Sequence, residues 1–181
     1  MAFFTHHGPW AMMTLHTKRL ILRGARQADL DDLFAIYSNP QSMRYWSTAP
    51  HTSPDQTQRN LDAMIARAAT PPLTYFMITL DGRLIGTAGM HRADEVGFIL
   101  HPDFWRKGII SEAMQAIIPH LFEVTDQAQL TADADPENVG SVATLKKLGF
   151  TETHRAKNTF CINGVWSDSV YLSLPRPENL R

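Results

Sequence analysis

Apolar positions change their period several times along the chain. Leu20-Ile21-Leu22, bracketed by Arg19 and Arg23, is a short apolar run that predicts a first strand. After Asp29, the residues Leu30, Leu33, Phe34 and Tyr37 recur at helical spacing, and Asn39-Pro40 is expected to end that helix. The polar, aromatic and Pro-containing stretch that follows reads as a loop. Ser53-Pro54 then opens a second helix, with Ser53 as N-cap and Pro54 at its first position. Leu61, Met64, Ile65 and Ala68 form its apolar face.

From Pro71 the period changes. Tyr75 to Thr79 and Leu84 to Met90 read as two strands joined by Asp81-Gly82, a strong hairpin signal. Val96 to Leu100 is the next strand. A turn follows, and from Gly108 the chain is amphipathic, with Ala113, Met114, Ile117 and Leu121 on one side; Pro119 is expected to kink this helix or shift its end. Leu130 to Ala134 is a strand. The next helix is capped by Asn138 and stops at Gly149. Thr151 to His154 and Val170 to Leu174 close the pattern around an Asn163-Gly164 turn.

The order is therefore βααβββαβαββ, and its second half requires some parallel pairing. The fold class is α/β with a mixed sheet. A single domain is expected over residues 15–174, with an N-terminal extension over 1–14 and a loose C-terminal tail over 175–181. Arg67 and His120 are most simply read as solvated.

The chain has 181 residues, 17 Lys+Arg and 18 Asp+Glu, for a net charge of −1. That balance leaves no electrostatic footprint for a long nucleic acid. With 44% hydrophobic residues the chain can build a core rather than stay disordered. Cys161 is the only cysteine, which excludes an internal disulfide and a Cys-based metal cluster, and fits a reducing, cytoplasmic setting. No run is long and apolar enough to span a membrane. The N-terminal stretch lacks the basic start of a signal peptide. His6 and His7 are read as part of a mobile tail rather than a metal site, and no metal is expected.

The segment with the clearest chemistry is the strand-turn-helix from Val96 to Met114. Free backbone N–H groups at a helix start, with the positive end of its dipole, form a phosphate site. Gly108 would let a phosphate approach the backbone, and Arg106 and Lys107 add positive charge. The competing reading is an ordinary turn with exposed basic residues. The segment is neither GxxxxGK[ST] nor GxGxxG, which disfavours an NTPase or a dinucleotide enzyme.

Taken with the helix before Leu148-Gly149-Phe150, this order resembles the GNAT family of acetyl-CoA-dependent N-acetyltransferases, in its RimJ/RimL-like branch. In that family a loop of the form Gln/Arg-x-x-Gly-x-Gly/Ala wraps the CoA pyrophosphate. Here Trp105-Arg106-Lys107-Gly108-Ile109-Ile110 occupies it. Trp105 departs from Gln/Arg but matches the branch. Ile110 departs from the small residue, and either crowds the phosphates or turns into the core as the first buried helical position. The opening TKRLILR, Asn138-Val139-Gly140-Ser141, Lys147 to Phe150, and the hairpin Asn163 to Asp168 resemble further parts of the branch.

The resemblance implies a twisted mixed sheet, flanked by helices, that splays between the fourth and fifth predicted strands and holds acetyl-CoA in the opening. The implied cofactor contacts are Phe98, Ile99, Leu100, Trp105, Arg106, Lys107, Gly108, Ile109, Ile110, Ser111 and Asn138. The acceptor side falls to Tyr45, Trp46, His91 and Trp166, with Arg44, His51 and Asp168 nearby; packing of these loops is the competing reading.

Acetyl transfer needs a neutral amine, a donor for the developing oxyanion, and a proton for the leaving thiolate. His91, Asp94 and Glu95 are the candidate bases, with Glu95 first, acting through water; two solvated acids in a hairpin turn is the alternative. Many family members carry a Tyr four residues before the Gly of Gly-Phe. Leu145 stands there, so Ser141 is the candidate acid, or no side-chain acid is used. The partners implied are acetyl-CoA and an amine, either a protein N-terminus or a small molecule, with the chain a monomer or homodimer. A non-catalytic CoA-binding module of the same fold is the alternative function.

Overall fold

The computed structural model describes residues 13–178. Its strands are β1 (Thr14–His16), β2 (Leu20–Arg23), β3 (Tyr75–Leu80), β4 (Arg83–Arg92), β5 (Glu95–Leu100), β6 (Gln129–Ala134), β7 (Thr151–Ile162) and β8 (Val165–Pro175). Its helices are α1 (Leu30–Tyr37), α2 (Pro40–Met43), α3 (Pro54–Ala68), α4 (Ile109–Val124) and α5 (Val139–Lys147). The strands form one mixed sheet in the order β1-β2-β3-β4-β5-β6-β8-β7.

Alternation along the strands divides the core between two faces. Phe76, Ile78, Ala88, Val96 and Leu100 pack against Ile109, Ala113, Met114, Ile117 and Leu121 of α4. Tyr75, Met77, Leu84 and Ile99 pack on the other face with Leu33, Ile36 and Tyr37 of α1 and Leu61 of α3. Both hairpin turns follow their sequence signals. Asp81 and Gly82 have φ of 51° and 81°, and Asn163 and Gly164 have 51° and 82°.

The contact that shapes the site is between β5 and β6. All other neighbouring strands pair over three or more residues, whereas these two parallel strands share the single register pair Glu95↔Thr131. Beyond it they diverge, and a wedge opens between them. The expected splay is there.

Several local expectations need correction. β1 carries no signal in the pattern, in which the first strand is Leu20 to Leu22, yet Thr14 pairs with Arg23 and Leu15 with Leu22. Asn39 does not only end α1. Its side-chain oxygen accepts from the N–H groups of Gln41 and Ser42, and so starts α2 in what read as loop. The closing hairpin is longer than the short strands predicted, because pairing continues outward to Ile162↔Val165. α4 runs through Pro119. His120 is fully buried rather than solvated: Nε2–H donates to the Leu73 carbonyl at 2.8 Å, and the ring stands edge-on to Phe76.

The start of the C-terminal tail is not loose either. Pro175 pairs with Gln129, and Arg176 donates to the carbonyls of Gln127 and Phe122 at 2.8 and 2.6 Å. The expectations for His6, His7 and the last three residues lie outside the described residues. Among those described, no helix is long and apolar enough to cross a membrane.

Candidate functional site

The turn from β5 into α4 is braced from both ends. At the strand end, the Trp105 indole N–H donates to the Leu100 carbonyl at 2.8 Å. At the helix end, Arg19 donates to the Lys107 carbonyl at 3.0 Å. Arg106 and Gly108 both take left-handed backbone, with φ of 58° and 71°. Gly108 precedes α4 with no side chain to cap it. A Cβ at this position would meet nothing nearer than the Arg19 guanidinium at 3.8 Å, so the space beside Gly108 is open.

The first N–H groups of a helix have no intrahelical acceptor, and here the open side lets an anion reach them. Glu112, in the first turn of α4, would compete with that anion. It is instead taken by Thr17 Oγ1 at 2.6 Å, the Arg19 N–H at 2.8 Å and Arg19 Nε at 2.7 Å. Burial would push this carboxyl up, but those donors outweigh it and hold it below the usual range. The residues present fit a CoA pyrophosphate.

A cleft of about 630 Å³ lies along this turn. It is lined by Phe98, Ile99, Leu100, Trp105, Arg106 and Gly108 to Ser111 on one side, and by Asn138 to Ser141 of α5 on the other. Lys107 is not among its walls; its ammonium lies over the Phe104 ring, 5.4 Å from the centroid. Ile109, not Ile110, is the first buried position of α4. Ile110 is half-buried and forms part of the cleft wall. Asn138 caps α5, its side chain accepting from Ser141 N–H at 3.2 Å, and lines the cleft as well.

A second, smaller cleft of about 160 Å³ adjoins the first. Arg44, Tyr45, Trp46, Phe98, Asn138 and Ser141 border both. Its far end holds His91, Arg92, Glu95, Gly97, Asp133 and Asp168. Glu95 Oε1 accepts from Arg92 Nη2 at 3.0 Å and lies 3.2 Å from His91 Nε2. Burial pushes the His91 imidazole below its ordinary value, against the opposing pull of Glu95. The hydrogen bond that Arg92 donates to Glu95 raises the guanidinium above its ordinary value.

The structure thus brings Glu95, His91, Ser141, Tyr45 and Trp46 to one place. Asp94 is turned to Thr131, whose hydroxyl donates to it at 3.0 Å. His51 packs beside Tyr37 and shares a 2.8 Å hydrogen bond with Thr57, away from both clefts. Trp166 also lies outside both, 59% exposed on the final hairpin; its neighbours Ser167 and Asp168 reach the smaller cleft instead. Leu145 fills the position of the family Tyr and is buried, so it offers no proton.

Two residues that shape the site escape the sequence pattern. Arg19 acts across 93 positions, which no local spacing reveals. Asp133 sits mid-strand in Leu-Thr-Ala-Asp-Ala, where alternation alone reads it as solvated. Its carboxyl is raised from the ordinary value, chiefly by burial and also by the charge of Glu95.

The family described as an acetyltransferase (GNAT) domain matches residues 19–151. An uncharacterised N-acetyltransferase, p20, of Bacillus licheniformis is 30% identical over 175 residues, covering 92% of this chain and 98% of its own. The spermidine N(1)-acetyltransferase of Escherichia coli K12 is 24% identical over 159 residues, 84% of each chain. Among solved structures, RimL, a ribosomal L7/L12 α-N-protein acetyltransferase in complex with coenzyme A, superposes with a TM-score of 0.78 at 19% identity. It covers 88% of this chain and 95% of its own.

Proposed function

The chain belongs to the GNAT acetyltransferase family, with ribosomal-protein N-acetyltransferases among its relatives, and on that premise we propose that it moves the acetyl group of acetyl-CoA to a primary amine by direct attack in a ternary complex. The observation that carries this reading is the junction of the two clefts. The larger one ends at an open helix N-terminus suited to a pyrophosphate, the smaller one ends at carboxylates, and six residues border both. A thioester and an amine can meet there without leaving the protein, and holding them together supplies much of the rate.

In this reading the Trp105–Ser111 turn binds the phosphates, and the Gly108 gap admits them. The wedge-facing edge of β5 beyond Glu95 has no ladder partner, so its backbone N–H groups are available to the thioester oxygen as charge develops. Glu95 takes, through water, a proton shed by the nitrogen as the amide forms. Ser141 donates to the departing thiolate. Tyr45, Trp46 and His91 wall the acceptor side. A protein N-terminus, as for RimL, and a polyamine, as for the spermidine enzyme, are the two acceptor classes the named relatives suggest.

The test is CoA release from acetyl-CoA by the purified full chain, supplied in turn with serine- and alanine-initiated peptides, spermidine and simple amines. Turnover with at least one amine is expected. Tight acetyl-CoA binding with no release on any amine would leave the sensing-module reading in its place.

A further inference from the structure

We propose that Asp133 is a second catalytic residue of the acceptor cleft, whose carboxylate receives the proton that the incoming ammonium must lose before it can attack. This rests on the transferase reading above. The backbone sets the geometry. Ile99 packs with α1 and α3, whereas Val96 and Ala132 belong to the opposite core. Alternation therefore places Glu95, Gly97, Thr131 and Asp133 together on the α1 and α3 face. Past Glu95↔Thr131 the strands part, and Asp133 stands on the far side of the wedge from Gly97.

Gly97 has no side chain to fill that wedge. A Cβ there would come within 3.2 Å of His91 Nδ1, so the imidazole closes one side of the gap. Both Gly97 and Asp133 line the smaller cleft. The Oδ1 atom of Asp133 is buried and has no hydrogen-bond partner among the described residues. Such an oxygen is costly to leave unpaired, and an ammonium supplies the missing donor. Glu95 differs: its Oε1 already receives Arg92 and faces His91.

The charges around Asp133 come from four strands. Burial disfavours its charge, as does Glu95 on β5; the Ser169 hydroxyl on β8, Arg92 on β4 and His154 on β7 oppose them, and the net effect raises the carboxyl above its ordinary value, which makes its carboxylate a better proton acceptor. Tyr171 is its register partner on β8 and stacks on His154 at 4.4 Å. Asp168 lies in the same cleft.

The proton count then closes. An N–H bond of the ammonium breaks, its electron pair stays on nitrogen, and an O–H bond forms on Asp133, which removes both charges. The nitrogen lone pair forms the C–N bond, and the C–S bond breaks toward sulfur. The second nitrogen proton leaves through water toward Glu95. Sulfur is protonated from Ser141, which water refills, so one proton net reaches solvent.

The deciding experiment is a pH profile of kcat/KM for the parent, Asp133→Asn and Asp133→Glu, with a serine-initiated peptide and with spermidine. The α-amine has a pKa of ~7.7–8.0 and a lysine-type amine ~10.4. Asp133→Asn is expected to lose roughly 10²–10⁴-fold at neutral pH. Activity should return on the alkaline side, with a midpoint that follows the pKa of whichever amine is used. Asp133→Glu should restore part of the neutral activity. Acetyl-CoA affinity should be unchanged in both variants, since Asp133 lies outside the larger cleft. A parental profile in Asp133→Asn, or a loss of equal size at every pH, overturns the proposal. Absence of turnover by the parent on both amines overturns the transferase reading, and this proposal with it.

Discussion

Glu95 and Thr131 are the one register pair between β5 and β6, and the wedge begins immediately past them. Both clefts follow from that arrangement. Each side of the wedge presents a strand edge, α4 starts at its outer end, and the smaller cleft collects at its apex. A longer β5–β6 ladder would close the opening.

Gly108→Val is expected to weaken acetyl-CoA binding at least tenfold while the protein remains folded. A valine at φ 71° is strained, and its branched side chain would fill space that is open in the native turn. Calorimetric titration of acetyl-CoA, with thermal melting as the folding control, checks this. Unchanged affinity would remove the turn from the cofactor site.

Glu95→Gln should slow turnover most near neutral pH, with recovery in alkali as hydroxide replaces the lost acceptor. Ser141→Ala should cost less than tenfold, because a thiolate with a pKa of ~8.5 departs with little assistance. Rates against pH for the two variants, at saturating acetyl-CoA, are the measurement. A Ser141→Ala enzyme slowed a thousandfold would mean that protonation of sulfur limits the reaction.

Cys161→Ala should retain parental activity. The thiol is exposed on β7, opposite Trp166 in the closing hairpin, and borders neither cleft. Initial rates with both substrates varied should give intersecting rather than parallel lines. Parallel lines together with an inactive Cys161→Ala protein would indicate an acetyl-enzyme.

His120 should make the fold acid-sensitive. Its Nε2–H serves Leu73, which leaves Nδ1 buried with no partner among the described residues, and burial lowers its affinity for a proton. The unfolded chain takes that proton at about pH 6.5 and the folded one only lower. The stabilisation is thus complete above about pH 6.5 and is lost as pH falls toward the folded value. Tm measured from pH 8 to 5 should fall less steeply in His120→Gln than in the parent. Equal slopes would assign the acid sensitivity to other groups.

The long periodic elements were legible because burial of one face imposes their period. α3, α4 and β3 to β5 fall within a few residues of their predicted ends. Short elements were not legible: three residues of β1 carry no period, and Asn39 signals a helix stop as readily as a helix start. The turn from β5 into α4 showed through Gly108 and its basic neighbours, since backbone needs leave residue signatures. Asp133 and His120 did not, because their burial is decided by strands and helices far away in the chain. The wedge itself came from resemblance; no periodicity distinguishes a paired strand edge from a parted one.

The brace between Arg19, Thr17, Glu112 and Lys107 links the first hairpin to the turn from β5 into α4. The family match begins at residue 19, so Thr17 stands just before it. A chain trimmed to residue 19 would lose the Thr17 hydroxyl, one of the donors that hold Glu112 at the open start of α4. The support of the β5–α4 turn therefore begins two residues ahead of the matched domain.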